Sequence, residues 1–258
     1  MRTFRCIVLL ALFFWACSAS CHAARHALLV AVWDYEGTGH PSLEGPPNDV
    51  RLMQEILVER FGFEEDDIVV LRNAQATRTA LEAAFASLAE RVRPGDFVYI
   101  HYSGHGSTTA DLDGDEPSGF DQTWVSHGSR RNGKDSGNPD DFDVLDDELD
   151  RWLRPLYART DRIVLVSDSC HSATASRGET SRVRAISADV RPHPLGRTRS
   201  SDASAATGVR IGAVRDDQKA VERETDEGKV YGVFTWHWAR ALREASPDET
   251  WDDVFKRA

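Results

Sequence analysis

The sequence predicts an α/β protein built on a mostly parallel sheet, and three observations predict it. Apolar runs of strand length recur along the chain with helix-like segments between them. Those runs are continuous rather than alternating, as strands covered on both faces are. Two polar stretches rich in Gly and Ser, HYSGHG and DSCHS, directly follow two of the runs. That is where parallel sheets carry their sites, beyond the carboxyl ends of strands.

The elements follow in order. HALLVAVW (26–33) is a strand-length run followed by Gly and Pro punctuation. Asn48 opens a helical segment with Val50, Met53, Ile56 and Leu57 on one face. DIVVLR (67–72) is the second strand, and Thr79 with Glu82 suggests a capping box for a helix ending near Arg91. DFVYIHY (96–102) is the third strand. LDDELDRWLRPLY (145–157) starts as a helix, and RIVLVSD (162–168) is the fourth strand. VRIGAV (209–214) is the fifth strand, before a helix in GVFTWHWARALREA (232–245). Two long segments interrupt the alternation: residues 111–150, with thirteen acids against three basic residues, and residues 177–206, rich in Arg, Ser and Ala. Loops of that length are functional or disordered, and the second is expected to be exposed and mobile.

The 258 residues suit one larger domain, over 26–258, after a leader. Residues 1–23 read as a secretory signal peptide: a basic start at Arg2 and Arg5, an apolar stretch too short to span a bilayer, then small residues. This places the protein in a secreted or periplasmic compartment, and a membrane enters only through a lipid anchor at Cys17 or Cys21. A net charge of -11 argues against nucleic acid and favours basic peptides or cations. Of the four cysteines, only Cys170 lies beyond the leader. A lone thiol with histidines elsewhere is a candidate nucleophile, and the competing reading is an inert buried Cys.

The surroundings of Cys170 favour the nucleophile. His105 ends one buried strand on a Gly-flanked turn, and Cys170 ends another. An imidazole beside a thiol lowers its pKa or takes its proton. If the two strands pair, both groups reach one rim, and the N–H groups of Gly106 and Cys170 form an oxyanion hole. Asp49 read alone is an acid at a helix N-terminus. His101 and His171 are given no role.

HYSGHG followed by DSCHS resembles the caspase-like cysteine peptidases of family C14, the metacaspase branch in particular. The Asn48-Asp49 pair after LEGPP, the stretches DLDGDEPSGFDQ and LDDEL, and VRIGAVRDDQKAVE with YGVFTWHWARAL are similar to that branch as well. The resemblance implies the caspase-hemoglobinase three-layer α/β sandwich and peptide hydrolysis through a thioester, with a Cys170–His105 dyad. It implies cleavage after Arg or Lys, with Asp49, Ser103 and Asp168 as the acidic first pocket; two carboxylates suit a guanidinium. It also implies self-processing in the Arg-rich stretch at Arg177, Arg182, Arg184, Arg191, Arg197 or Arg199.

Many metacaspases use calcium, and Asp121, Asp146 and Asp147 match three of the family's ligand positions. The fourth falls on Arg177, so calcium is expected to help less here, and no cofactor is expected to be required. Full EF-hand spacing is missing from DLDGDE, and no His/Cys cluster has zinc spacing. Pro46 and Pro47 stand where the family often has a Cys. The resemblance implies one strand beyond the final WDDVFKRA. Two other functions compete: a catalytically silent binding module, and a thiol hydrolase of other specificity such as a transpeptidase or an Asp/Asn-directed peptidase.

Overall fold

The computed structural model describes residues 23–132, 137–170, 182–195, 208–214 and 219–258. Its centre is a five-stranded parallel sheet made of β1 (Arg25–Ala31), β2 (Ile68–Arg72), β3 (Phe97–Ser103), β7 (Ile163–Asp168) and β9 (Val209–Gly212), in the order β2-β1-β3-β7-β9. All five expected strands are present, and all are parallel.

Side chains alternate across each strand, so one strand feeds two cores. Leu28 and Val30 of β1 face α2 (Arg78–Arg91) and α3 (Asp146–Tyr157), packing with Leu81, Phe85, Trp152 and Leu156. Ala27, Leu29 and Ala31 face α1 (Pro46–Phe61), α4 (Val233–Glu244) and α5 (Trp251–Arg257), packing with Met53, Ile56, Trp238 and Val254. The result is a three-layer sandwich of helices, sheet and helices. Each fully buried side chain of this size contributes about 1.5–3 kcal/mol.

The remaining strands form two small sheets near the site. β4 (Gly106–Ala110), β5 (Phe120–Trp124) and β6 (Val144–Leu145) make an antiparallel one. β8 (Arg182–Val183), β10 (Val221–Glu224) and β11 (Val230–Gly232) make the other. The acidic segment is therefore not one long loop: β5, β6 and the start of α3 lie inside it.

Three local expectations are corrected. Helix α1 begins at Pro46, two residues before Asn48, because the fixed φ of proline suits a first turn whose N–H groups have no partner. Helix α2 is capped by Thr77, which accepts from the Ala80 N–H, while Thr79 bonds Asp140 instead. The described part of the Arg-rich segment is anchored rather than freely exposed: Arg184 is 0% accessible and Ile186 is buried. Arg177, Arg197 and Arg199 lie outside the described residues. Among the described residues, no helix is long and apolar enough to cross a membrane.

Candidate active site

The site lies beyond the carboxyl ends of β1, β3 and β7. Strands β3 and β7 are neighbours in register, with Ser103 opposite Asp168, so the expected pairing holds. His105 and Cys170 each follow two residues later from adjacent strand ends.

The backbone of His105 is fixed on both sides. Its N–H donates to the Tyr35 hydroxyl at 2.8 Å, and its carbonyl accepts from the Tyr102 hydroxyl at 2.7 Å and the Val125 N–H at 3.0 Å. Tyr102 is held in turn by stacking on Trp124, whose indole N–H donates to Ser167 Oγ. The His105 ring packs at 4.5 Å from the Tyr35 ring. Its Nε2 lies 2.8 Å from the Pro41 carbonyl oxygen, which can only accept, so Nε2 carries the proton. Nδ1 is then the basic nitrogen, and it has no partner among the described residues. Burial pushes the imidazole pKa down to about 4, so His105 is neutral at pH 7. Cys170 is buried and is not part of a disulfide.

One residue ties the site together. The Arg184 carbonyl oxygen accepts from the Gly106 N–H at 2.9 Å and from the Cys170 N–H at 3.1 Å. These are the two donors the sequence suggests for an oxyanion hole, and both aim at a single oxygen. The Arg184 guanidinium is buried among the three residues of the expected acidic pocket. Nη2 donates to Asp49 Oδ2 at 2.6 Å, and Nη1 donates to Ser103 Oγ at 2.9 Å and pairs with Asp168 Oδ2 at 3.0 Å. Ser103 Oγ also donates to Asp49 Oδ2 at 2.7 Å. Burial pushes Asp49 up to about 6, and the Arg184 charge offsets part of that rise.

The sequence reading missed four parts of this pocket. Glu222 on β10 accepts from Arg184 Nη2 at 3.2 Å. Thr235, at the start of α4, donates its N–H to Asp168 Oδ2 at 3.0 Å and its hydroxyl to the same oxygen at 2.5 Å. Gly45 and Gly232 form walls: a Cβ on Gly45 would sit 2.5 Å from Arg184 Nη2, and one on Gly232 would sit 2.2 Å from Asp168 Oδ2. Neither glycine has a positive φ, so space alone requires them. None of these residues stands beside the two motifs, so no local signal marks them. His101 is buried in the core between Tyr99 and Thr235; His171 lies outside the described residues.

The chain flanking Arg184 runs along strands on both sides. Before it, β8 pairs antiparallel with β10, and the Arg184 N–H donates to the Ala220 carbonyl at 2.8 Å. After it, the Ile186 N–H donates to Gly106 O at 3.1 Å and the Asp189 N–H to Thr108 O at 2.8 Å. Ser107 Oγ reaches Ser187 O at 2.9 Å, and Arg191 pairs with Asp189.

The acidic segment makes a second cluster. Carboxylate oxygens of Glu116, Asp121 and Asp146 all lie within 4.8 Å of one another. Asp121 is fully buried and its Oδ1 has no partner among the described residues. Burial, with the neighbouring carboxylates adding to it, pushes Asp146 up to about 7, Asp121 to about 6 and Glu116 to about 9. Asp147 is not part of this trio, whereas Glu116 is.

A model of the metacaspase peptidase C14 domain matches residues 25–177, more than half of the chain. The chain belongs to the metacaspase family. Metacaspase-1 of Pyricularia oryzae is 35% identical over 164 residues, and Metacaspase-1B of Neurospora crassa 36% over the same length. Each alignment covers 61% of this chain but only 38% and 36% of those proteins. This metacaspase chain thus matches little more than a third of the length of those relatives. The crystal structure of protein GSU0716 from Geobacter sulfurreducens has the same fold, at a TM-score of 0.62 and 23% identity, over 91% of this chain and 87% of that one. The fold likeness extends over more of the chain than the 25–177 match does.

Proposed function

We propose that this metacaspase domain is a cysteine endopeptidase that cuts after arginine or lysine, and that its first substrate is its own Arg184–Ala185 bond. One observation carries the reading. Arg184 lies as a substrate's residue before the cut would lie: its cation in the acidic pocket, its carbonyl oxygen on the Gly106 and Cys170 N–H groups. Its flanking chain adds to β10 as a short antiparallel strand, a common mode of peptide recognition.

The chemistry follows from the groups present. His105 Nδ1 takes the Cys170 proton, and the thiolate attacks the Arg184 carbonyl carbon. The oxygen gains charge where two N–H donors already point. Collapse forms the Cys170 thioester and breaks the C–N bond, with His105 returning the proton to the Ala185 amine. Water, deprotonated by His105, then hydrolyses the thioester.

Substrates on this reading are proteins or peptides with basic residues. Glu116, Asp121 and Asp146 fit a hard cation such as calcium, which prefers oxygen ligands and would satisfy the bare Asp121 oxygen. Such an ion would neutralise the cluster and brace β5 against α3. The leader at 1–23, with secretion or periplasmic export, is carried as part of the same reading; N-terminal sequencing of the protein recovered from cells tests it.

Wild-type and Cys170→Ala protein are incubated in parallel and their fragments sized by mass spectrometry, beside a panel of Arg, Lys, Asp and Asn reporters. The expected outcome is a fragment ending at Arg184 in the wild type alone, and hydrolysis of the basic reporters alone. His105→Ala is expected to lose nearly all activity, since nucleophile and base act as a unit. An uncut wild-type chain that hydrolyses Arg reporters makes Arg184 a structural cation. Hydrolysis after Asp or Asn, or none at all, favours the other thiol hydrolase or the silent module.

A further inference from the structure

We propose that the outer edge of β4 is a peptide groove for the substrate residues that follow the cut, with a place for an apolar side chain two residues past it; the claim rests on the peptidase reading for its role in catalysis. β4 is the edge of its small sheet, with β5 on its other side. An edge strand presents backbone N–H and C=O groups to a chain laid along it. The protein's own residues 185–189 are laid there: Gly106 bridges Ala185 and Thr109 bridges Asp189, both in the parallel sense. With Arg184 standing where the residue before the cut would stand, these are the positions that follow it.

Between those bridges the segment has one residue more than β4, a bulge that interrupts the ladder. Side chains meet the carbonyls at the interruption. Ser107 Oγ lies 3.3 Å from Ile186 O and 2.9 Å from Ser187 O, and Arg130 Nη1 donates to Ser187 O. Arg130 is fixed by the body of the domain. Its Nε donates to Asp143 Oδ1 at 3.2 Å and its Nη2 to Asp143 Oδ2, and Asp143 accepts in turn from the Thr123 hydroxyl at 2.9 Å. Its backbone is left-handed at φ 65, costly for a residue with a Cβ, and its N–H donates to Asp141 O at 2.8 Å. Local strain of this kind clusters at sites that clamp a ligand. Asp189 lies 3.8 Å from Arg130 Nε but only 2.7 Å from Arg191, so Arg130 reads the backbone of the segment rather than an acid.

Backbone contacts accept almost any sequence, so selectivity comes from the side chains the groove buries. Ile186 is 4% accessible and belongs to the same buried cluster as Tyr35, Leu43 and Trp124, whereas Val190, just past the second bridge, is 84% accessible. A carboxylate at the Ile186 position would have to lose its water inside that apolar cluster. The substrates this groove fits are extended protein segments with a basic residue at the cut and an apolar residue two places later.

Two measurements on the full chain test this. In the first, wild type is given two quenched-fluorescent peptides that are identical except for Ile or Asp at the second residue after Arg. The isoleucine peptide is expected to have the higher kcat/KM by about tenfold or more; a smaller preference or none overturns the proposal. In the second, amide hydrogen exchange is followed in Cys170→Ala protein. The Ile186 and Asp189 N–H groups, bonded to Gly106 O and Thr108 O, are expected to have protection factors about tenfold or more above that of Val190. Equally fast exchange at all three means that β4 holds no chain at its edge and overturns the proposal. Should wild type hydrolyse an Arg-aminocoumarin reporter but neither peptide, the peptidase reading stands and the groove fails. Should it hydrolyse none of the three, that reading fails, and the exchange pattern alone decides whether the β4 edge binds a chain.

Discussion

Two of the carboxylate groups among the described residues differ in whether a cation stands among them. In the pocket, Asp49, Asp168 and Glu222 surround a guanidinium whose pKa they push up against the pull of burial. They also accept from Ser103, Thr235, Gly45, Glu44 and Gly232. In the acidic segment, Glu116, Asp121 and Asp146 face one another with two carboxylate oxygens bare, and their pKa values rise. Burial raises Asp49 in the pocket too, but there the Arg184 charge offsets part of the rise, whereas in the acidic segment the neighbouring carboxylates add to it. The lesson is that acidity read from sequence is not yet chemistry; the placement of a cation decides whether carboxylates form a binding site or a liability.

Deleting one negative charge should therefore act in opposite directions in the two groups. Asp168→Asn is expected to cost about 2–5 kcal/mol in kcat/KM on an Arg reporter, the usual cost of removing one partner of a buried charge pair. Steady-state kinetics checks it, and an unchanged rate removes the acidic pocket. A smaller effect comes from space rather than charge. Gly45→Ala brings no backbone strain at φ -73 and ψ -40 but places a methyl against the cation. It is expected to cost about 1–3 kcal/mol for Arg substrates, in line with overpacking of a filled site. Normal Arg cleavage by this variant would mean that the substrate cation does not reach as deep as Arg184 does.

The smallest effect is expected in the acidic segment, and it has the opposite sign. Asp146 is raised to about 7, above its unfolded value, so between about pH 4 and 7 the folded chain holds a proton that the unfolded chain has released. The stability this gives is full below about pH 4 and is lost progressively as pH rises to about 7. Asp146→Asn is expected to raise the melting midpoint at pH 8 in chelator and to raise it by clearly less at pH 5. Calcium is expected to raise the wild-type midpoint at pH 8 and to lose that effect in Asp121→Asn. A midpoint that falls in Asp146→Asn at pH 8, or an equal calcium shift in both proteins, breaks the contrast.

What the sequence made legible was whatever depends on neighbours along the chain. The five sheet strands are continuous apolar runs, and the turns carrying His105 and Cys170 sit at their ends, so strand order and motif together located Gly106, while the pocket roles of Ser103 and Asp168 came from resemblance. Asp49 came from resemblance, since an acid in a first helical turn has an ordinary explanation of its own. Glu222, Thr235, Gly45 and Gly232 stayed hidden because each reaches the pocket from a different segment, brought in by pairing of β10 and β11 and by packing of α1 on α4. Within the Arg-rich segment, the stretch around Arg184 was misread as exposed for a related reason. It lacks apolar periodicity, but Arg184 is buried by charges and backbone acceptors far away in sequence rather than by a hydrophobic face.

The segment after Arg184 carries a consequence of its own. Residues 186–191 are fastened to β4 and its surroundings through Ile186, Ser187, Asp189 and Arg191. The proposed hydrolysis at Arg184 would break one covalent bond and none of those hydrogen bonds. The leaving group therefore stays where it was released, and dilution cannot carry it away, because its other end is still part of the chain. Self-processing at Arg184, as proposed, would then have two barriers in series: a chemical one at Cys170, and the release of residues 186–191 from β4. The second responds to temperature and denaturant rather than to the reactivity of the thiol. A chain already cut at Arg184 can remain closed on the side of the site where β4 lies until that segment detaches.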